Sequence, residues 1–361
     1  MPVRALLPLM SSLAFAAISM VAGPAFAIEL YTWQPYSSHP PFVIAVREGE
    51  RPESAARRYV NGLEADPQFR RLTEDFRELP IKNFAKLRDA DFHRRALFVV
   101  NYEEDLRPGF VMEYFSQSFE KAGQKAYALP LLANIDLTPA ETAEFIQKLN
   151  DRFEHFVHQG GADIDPKIYG EVNTHSRQVV PRRDAFEAAL LRRKIRKVKA
   201  EEGNHRISAV CRGAQLTAAI LGYKLVQDVN TFVRNHIDHG PGAPKVGGEE
   251  PGHDARLLKT TQPFVRAWLG DAETVSVNTY HHQAVVFKEG GILEIGAIAP
   301  DGVTEAMISK NGRIRLFQFH PEILAHESKG VMKETGEKIL AMLAAPPSFR
   351  PVNACRALFG R

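Results

Sequence analysis

Ile207-Ser208-Ala209-Val210-Cys211-Arg212-Gly213-Ala214-Gln215 is the stretch on which the reading of this chain turns. Ile207 to Val210 is a short apolar run and Ala214 to Leu221 is rich in helix formers, so the segment reads as a strand, a sharp turn and a helix. The turn falls on a cysteine with small residues two positions away on either side, Ala209 and Gly213, as a strained nucleophile elbow requires. Such a turn lifts the sulfur out of the sheet edge. It also aims a helix N-terminus at that sulfur, which favours thiolate over thiol. The amide of Arg212 then points where an oxyanion would form. Taken alone, Cys211 reads more readily as a small buried hydrophobe at a strand end.

A second segment changes that balance. Ile314-Arg315-Leu316-Phe317-Gln318-Phe319 is a strand of strong β formers, and Pro321 stops it. In an extended chain residues two apart point to one side, which would make His320 and Glu322 neighbours. A carboxylate beside an imidazole fixes its tautomer and stabilises the imidazolium, completing a nucleophile, base and orienter.

Working outward from Cys211, strand and helix signals alternate. Ala96 to Val100 is a strand, Phe110 to Ala122 a helix stopped by Gly123, and Tyr127 to Leu132 a second strand. Thr138-Pro139-Ala140-Glu141 opens a helix with a threonine cap and proline in the first turn, and Phe153 to His158 is a third strand ending at Gly160-Gly161. This alternation predicts an α/β fold, a doubly wound, mostly parallel sheet with helices on both faces. Ligands in such sheets bind beyond the carboxyl ends of strands, where Gly160-Gly161 and Cys211 both fall. Glycines there let backbone amides approach a ligand closely enough to supply a second oxyanion donor.

The chain resembles the class I glutamine amidotransferase-like superfamily and, within it, the γ-glutamyl-γ-aminobutyrate hydrolase group of the C26 peptidases. The likeness is carried by Gln159-Gly160-Gly161-Ala162-Asp163-Ile164-Asp165-Pro166, the Cys211 elbow, Val277-Asn278-Thr279-Tyr280-His281-His282-Gln283, Ala299-Pro300-Asp301-Gly302, and Gln318-Phe319-His320-Pro321-Glu322. It implies a flavodoxin-like three-layer sandwich and hydrolysis of γ-glutamyl amide bonds through a thioester. Cys211, His320 and Glu322 would be the triad, and the amides of Gly160, Gly161 and Arg212 the oxyanion hole. Gln215, His282 and Gln283 would border the substrate. No cofactor is implied, and the partner expected is a small γ-glutamyl substrate. A catalytically silent binding protein and a cysteine peptidase cutting other amide bonds are the competing functions.

The flanks are read from composition. Residues 1–27, with Arg4, an apolar stretch and Ala25-Phe26-Ala27, form a secretory signal pattern, so export to the periplasm is expected, with no stable membrane span after cleavage. Residues 28–93 are an N-terminal extension: Tyr31 to Pro41 an extended segment over the surface, Glu53 to Leu63 and Pro67 to Leu79 helical, with a lid or homodimer contact open to it. The hydrolase domain covers 94–345 and a tail 346–361. The two cysteines, Cys211 and Cys355, leave a disulfide as the competing reading of Cys211.

A formal net charge of +3 over 361 residues gives no reason to expect nucleic acid. Asp184 to Lys199 is an amphipathic helix, Phe186, Ala189, Leu190 and Val198 inward, and its arginines and lysines form a solvated face. Asp163 and Asp165 read as turn formers, because Pro166 breaks any calcium-loop spacing. His236, His239 and His253 lie in a Gly/Pro-rich stretch and His281-His282 follows. A metal site needs ligands on a regular frame, which 235–252 lacks as a loop, so no metal is expected.

Overall fold

The computed structural model describes residues 27–37, 39–67, 79–88, 94–100, 111–246, 250–258, 269–270 and 272–347. The strands among them are β1 (Ile28–Trp33), β2 (Phe42–Arg47), β3 (Phe84–Lys86), β4 (Arg95–Val99), β5 (Lys125–Leu129), β6 (His155–His158), β7 (Arg206–Val210), β8 (Lys224–Val226), β9 (Lys245–Val246), β10 (Glu250–Leu257), β11 (Thr274–Asn278), β12 (Ala284–Val286), β13 (Leu293–Ile298), β14 (Thr304–Ser309) and β15 (Ile314–Phe317). The helices among them are α1 (Pro52–Ala65), α2 (Val111–Lys121), α3 (Pro139–Arg152), α4 (Pro181–Lys199), α5 (Arg212–Ile220), α6 (Val229–Phe232), α7 (Pro321–Glu327) and α8 (Gly330–Ala344).

One mixed sheet runs in the order β11-β10-β13-β14-β15-β7-β6-β4-β5-β2-β1-β3. Its centre, β15 to β2, is parallel, and antiparallel strands extend it on both flanks. Side chains alternate across β4: Ala96 and Phe98 pack with Phe115 and Phe119 of α2 and Leu340 of α8, whereas Leu97 and Val99 pack with Phe145 of α3 and Phe186 of α4. Helices therefore cover both faces, as the doubly wound reading requires. Thr138 and Glu141 close a reciprocal capping box on α3, satisfying two amides that the helix cannot. At the far end of the core, Arg315 Nη1 on β15 donates to the carbonyls of Met342 (2.6 Å) and Ala345 (2.6 Å), capping the C-terminus of α8.

Several local readings change. Tyr31 to Pro41 does not drape over the surface: β1 reaches Trp33 within the sheet, and β2 follows directly. Phe42 to Val46 is buried on both faces, which needs the continuous apolar run those residues supply. Strand β5 stops at Leu129, because Pro130 follows and Leu132 sits at φ 48°. Helix α4 starts at Pro181. It turns Ala188 inward in place of Ala189, and it buries Lys194. The Lys194 ammonium donates to the Phe153 carbonyl (2.6 Å) and lies 3.9 Å above the Phe156 ring, so it is not part of the solvated basic face. His253 lies on β10 and His281 follows β11, so these histidines stand on or beside strands.

The signal pattern, nearly all of Pro67–Leu79, and Cys355 lie outside the described residues. Among the described residues no helix is long and apolar enough to cross a membrane.

Candidate active site

From β4 the chain steps out to β5 and then returns across β4 to β6, continuing to β7 and, later, to β15. This reversal puts three neighbouring parallel strands, β6, β7 and β15, beside a topological switch point, where α/β sheets bind ligands. In register, His158 lies opposite Ala209 and Val210 opposite Phe317. The residues that follow each strand, Gly160, Cys211 and His320, therefore emerge together.

Cys211 occupies φ 48° and ψ −115°, a conformation that costs a residue with a side chain on the order of 1–3 kcal/mol. Surrounding hydrogen bonds hold it there. Its amide donates to Phe317 O (2.7 Å), its carbonyl accepts from the Gln215 amide (3.0 Å), and the Gly213 amide donates to Gln159 O (3.0 Å). Gly213 is obligatory: a Cβ there would stand 2.5 Å from His158 O. The Arg212 amide opens α5 and has no partner within its own helix, so it is available to an oxyanion. The Arg212 side chain turns away, into a buried ion pair with Asp184 and with Glu187 (2.7 Å), while Arg183 reaches Glu187 at 2.8 Å.

His320 Nδ1 meets Glu322 Oε1 at 2.6 Å. The sequence suggested this pair from an extended chain, but the geometry differs. His320 is the cap of α7 and Glu322 sits in its first turn, so the helix start brings them together. Asn278 clamps the His320 backbone, accepting from its amide (2.9 Å) and donating to its carbonyl (3.0 Å). With Nδ1 occupied, Nε2 remains for Cys211. Burial disfavours the imidazolium, but Glu322 and Cys211 outweigh it and hold the ring's pKa well above the ordinary range.

Gly161 has φ 149°, open only to glycine, and Gly160 lies directly beneath the imidazole. A Cβ on Gly160 would sit 2.6 Å from His320 Cε1 and 3.4 Å from Cys211 Cβ. Gly160→Ala is therefore expected to push the ring off the sulfur. The expected result is a loss of about 100-fold in kcat with a nearly unchanged melting temperature, read by steady-state kinetics beside a thermal melt.

A cavity of about 330 Å³ opens beside Cys211, with Gly161, Asp163, Arg177, Gln215, Tyr280 and His282 among its lining residues. Gln215 and Gln283 also lie here, with their amide nitrogens engaged within the protein and Gln283 Oε1 buried without a partner. Gln215 Nε2 donates to Gln283 O (3.1 Å) and to Gln318 Oε1 (3.2 Å), and Gln283 Nε2 donates to Ser176 Oγ (2.8 Å). Both shape the wall. His282 bridges two carboxylates, Asp163 (2.9 Å) and Asp228 (3.3 Å), and the Asp163 contact raises its pKa above the ordinary value. Asp163 is thus more than a local turn former, whereas Asp165 does cap the adjoining turn through the Lys167 amide (3.0 Å). Asn278 and Tyr280 fall in the 277–283 segment that carries the likeness but had no role assigned from the sequence, and Arg177 has no local mark at all. A larger cleft of about 780 Å³ borders β3 but is not lined by Cys211 or His320.

The sequence model of the peptidase C26 family matches residues 101–322. Protein NtpR of Enterococcus hirae is 34% identical over 231 residues, covering 62% of this chain and 87% of its own length. A glutamine amidotransferase-like protein, YvdE, of Lactococcus lactis is 30% identical over 189 residues, covering 52% of this chain and 73% of its own. Among solved structures, a glutamine amidotransferase of Thermotoga maritima aligns with 64% of this chain and 78% of its own at 15% identity and a TM-score of 0.41. The family match takes in the Gly160-Gly161 turn and the Cys211 elbow and ends on Glu322 itself, so this chain is a member of the peptidase C26 family of cysteine-dependent amide hydrolases.

Proposed function

We propose that this chain hydrolyses γ-glutamyl amide bonds. The observation that carries the reading is the cavity at Cys211, which is small and presents opposite charges, Arg177 and Asp163, at its wall. A γ-glutamyl head group ends in an α-carboxylate and an α-ammonium, and these two side chains are complementary to them.

In this reading the proton already rests on His320 Nε2, and the Cys211 thiolate beside it attacks the γ-carbonyl carbon. The Arg212 amide, with that of Gly161 or Gly160, holds the resulting oxyanion. Collapse breaks the carbon–nitrogen bond, and the amine leaves with the proton from His320. Water then gives a proton to the same nitrogen and attacks the thioester, releasing the γ-carboxylic acid and restoring the thiolate. Glu322 keeps the ring oriented and supports its charge throughout. The signal pattern in 1–27 supports action outside the cytoplasm, on γ-glutamyl peptides whose α-amino group is free.

The test sets γ-glutamyl-p-nitroanilide against casein. Release of nitroaniline with casein left intact is the expected outcome, and Arg177→Ala should raise KM for the anilide while changing kcat little. Cleavage of casein in preference to the anilide would mark an ordinary peptidase. Turnover of neither, by protein whose Cys211 also resists iodoacetamide at mildly acidic pH, would indicate a silent binding protein.

A further inference from the structure

His239, His253 and His281 converge on Glu305, and all four side chains are buried. They come from distant parts of the chain: His253 from β10, Glu305 from β14, His281 from the turn after β11, and His239 from the connection before β9. One oxygen, Glu305 Oε1, lies 3.5 Å from His239 Nδ1, 3.2 Å from His253 Nε2 and 3.5 Å from His281 Nε2. Neighbouring donors around a tetrahedral ion with bonds of about 2.0–2.1 Å are separated by about 3.3 Å. The donor atoms of His239, His281 and Glu305 all fall within 4.8 Å of one another, and His253 joins this set of three through its 3.2 Å approach to Glu305 Oε1.

The ring protons lie on the outer side of this set. His239 Nε2 is 2.9 Å from Asp301 Oδ2, and an ionised carboxylate only accepts, so the proton belongs on Nε2 and Nδ1 is left as a lone pair. The Thr279 hydroxyl donates to the His239 carbonyl (2.7 Å) and so does not cover that lone pair. His281 Nδ1 faces the Gln283 carbonyl (3.0 Å), which likewise places its proton outward and leaves Nε2 bare. His281 Nε2, both nitrogens of His253 and both oxygens of Glu305 are buried with no hydrogen-bond partner. Two lone pairs directed at a carboxylate oxygen repel it unless a cation lies between them.

We propose that His239 Nδ1, His253 Nε2, His281 Nε2 and Glu305 Oε1 bind a divalent transition-metal ion, zinc by preference. Imidazole and carboxylate donors suit zinc, and four protein ligands make a closed, structural site. The outward bonds to Asp301 and to the Gln283 carbonyl are those by which metal-bound imidazoles are oriented. The ion would tie β10 and β14 to the 279–283 turn, whose His281 and His282 line the cavity beside Cys211. Its role is to brace the pocket wall. The approach of three imidazole nitrogens to Glu305 Oε1 at 3.2–3.5 Å, and no step of the amide chemistry, supports this site.

The test uses the full chain carrying Cys211→Ser, so that the thiol cannot contribute a ligand. After dialysis against a chelator, Co²⁺ is titrated in. One equivalent is expected to bind with the intense visible bands of a four-coordinate ion, and Zn²⁺ should displace it one for one. Asp301→Asn should weaken binding about 10–100-fold. Glu305→Gln should abolish the bands. Because those variants could misfold, the metal content of wild-type protein as purified and its melting temperature with and without chelator are measured beside them. Sub-stoichiometric metal with no effect of chelator on melting, or weak six-coordinate bands unchanged by Asp301→Asn, would overturn the site and leave a proton-bridged ion-pair cluster in its place.

Discussion

Replacing Cys211 by alanine is expected to lower turnover of a γ-glutamyl anilide by about 10,000-fold or more, with the melting temperature little changed. The size follows from the loss of the only group that can form the thioester. The small structural effect follows from the backbone. Alanine at φ 48° is as strained as cysteine, and the backbone bonds from the residue-211 amide to Phe317 O, from the Gln215 amide to the residue-211 carbonyl and from the Gly213 amide to Gln159 O hold the elbow whatever the side chain. The comparison is steady-state kinetics and thermal melting of the two purified proteins. Residual activity within tenfold of wild type would remove Cys211 from the chemistry.

Glu187→Ala is expected to cost about 3–5 kcal/mol of folding stability, the range for removing one partner of a buried charge network. Glu187 is 2% exposed and accepts from both Arg183 and Arg212. Truncation leaves two buried guanidinium groups with Asp184 as their remaining carboxylate. In a chain of this size that corresponds to a fall in melting temperature of about 4–7 °C. The pH dependence has a definite sign. Burial alone would raise the Glu187 pKa, but Arg212 and Arg183 outweigh it and hold the carboxyl well below its ordinary value. Its contribution is therefore complete above the unfolded value of about 4.3 and disappears as pH falls through the folded one. Wild type should lose stability on acidification more steeply than Glu187→Ala, a difference that melts taken between pH 7 and pH 3 would show. Equal melting temperatures at pH 7 would show that the network contributes nothing net. Since Arg212 begins α5, activity should fall as well, even where the variant remains folded.

The parts of the fold legible in the sequence are those whose apolar pattern is local. Ala96 to Val100, the Thr138 cap and the Cys211 turn each announce themselves within a few residues. The contact between His320 and Glu322 was legible as well, although the helix start at Pro321, not an extended chain, is what joins them. Less visible were residues whose meaning depends on a distant partner. Lys194 looks like any other charge on a basic helix until Phe156 and the Phe153 carbonyl are placed under it. Asp184 and Glu187 share one face of α4 with Arg183, but only the fold sets Arg212 between them. Asn278 shows its clamp on His320 only once β11 and α7 are side by side. Glu305 had no role assigned from the sequence, because the three histidines that approach it come from strand β10 and from two separate connections.

Strand β2 has a temporal consequence. It is synthesised early, yet its parallel neighbour pairs with it through Phe42 and Ala128. At roughly 5–20 residues per second, the ribosome reaches that partner about 4–17 s later. During this interval β1 can cover one edge of Phe42–Arg47, while the other edge of this apolar run lacks its bridge from Phe42 to Ala128. The nascent chain thus offers a chaperone an apolar ribbon well before Cys211 has been translated.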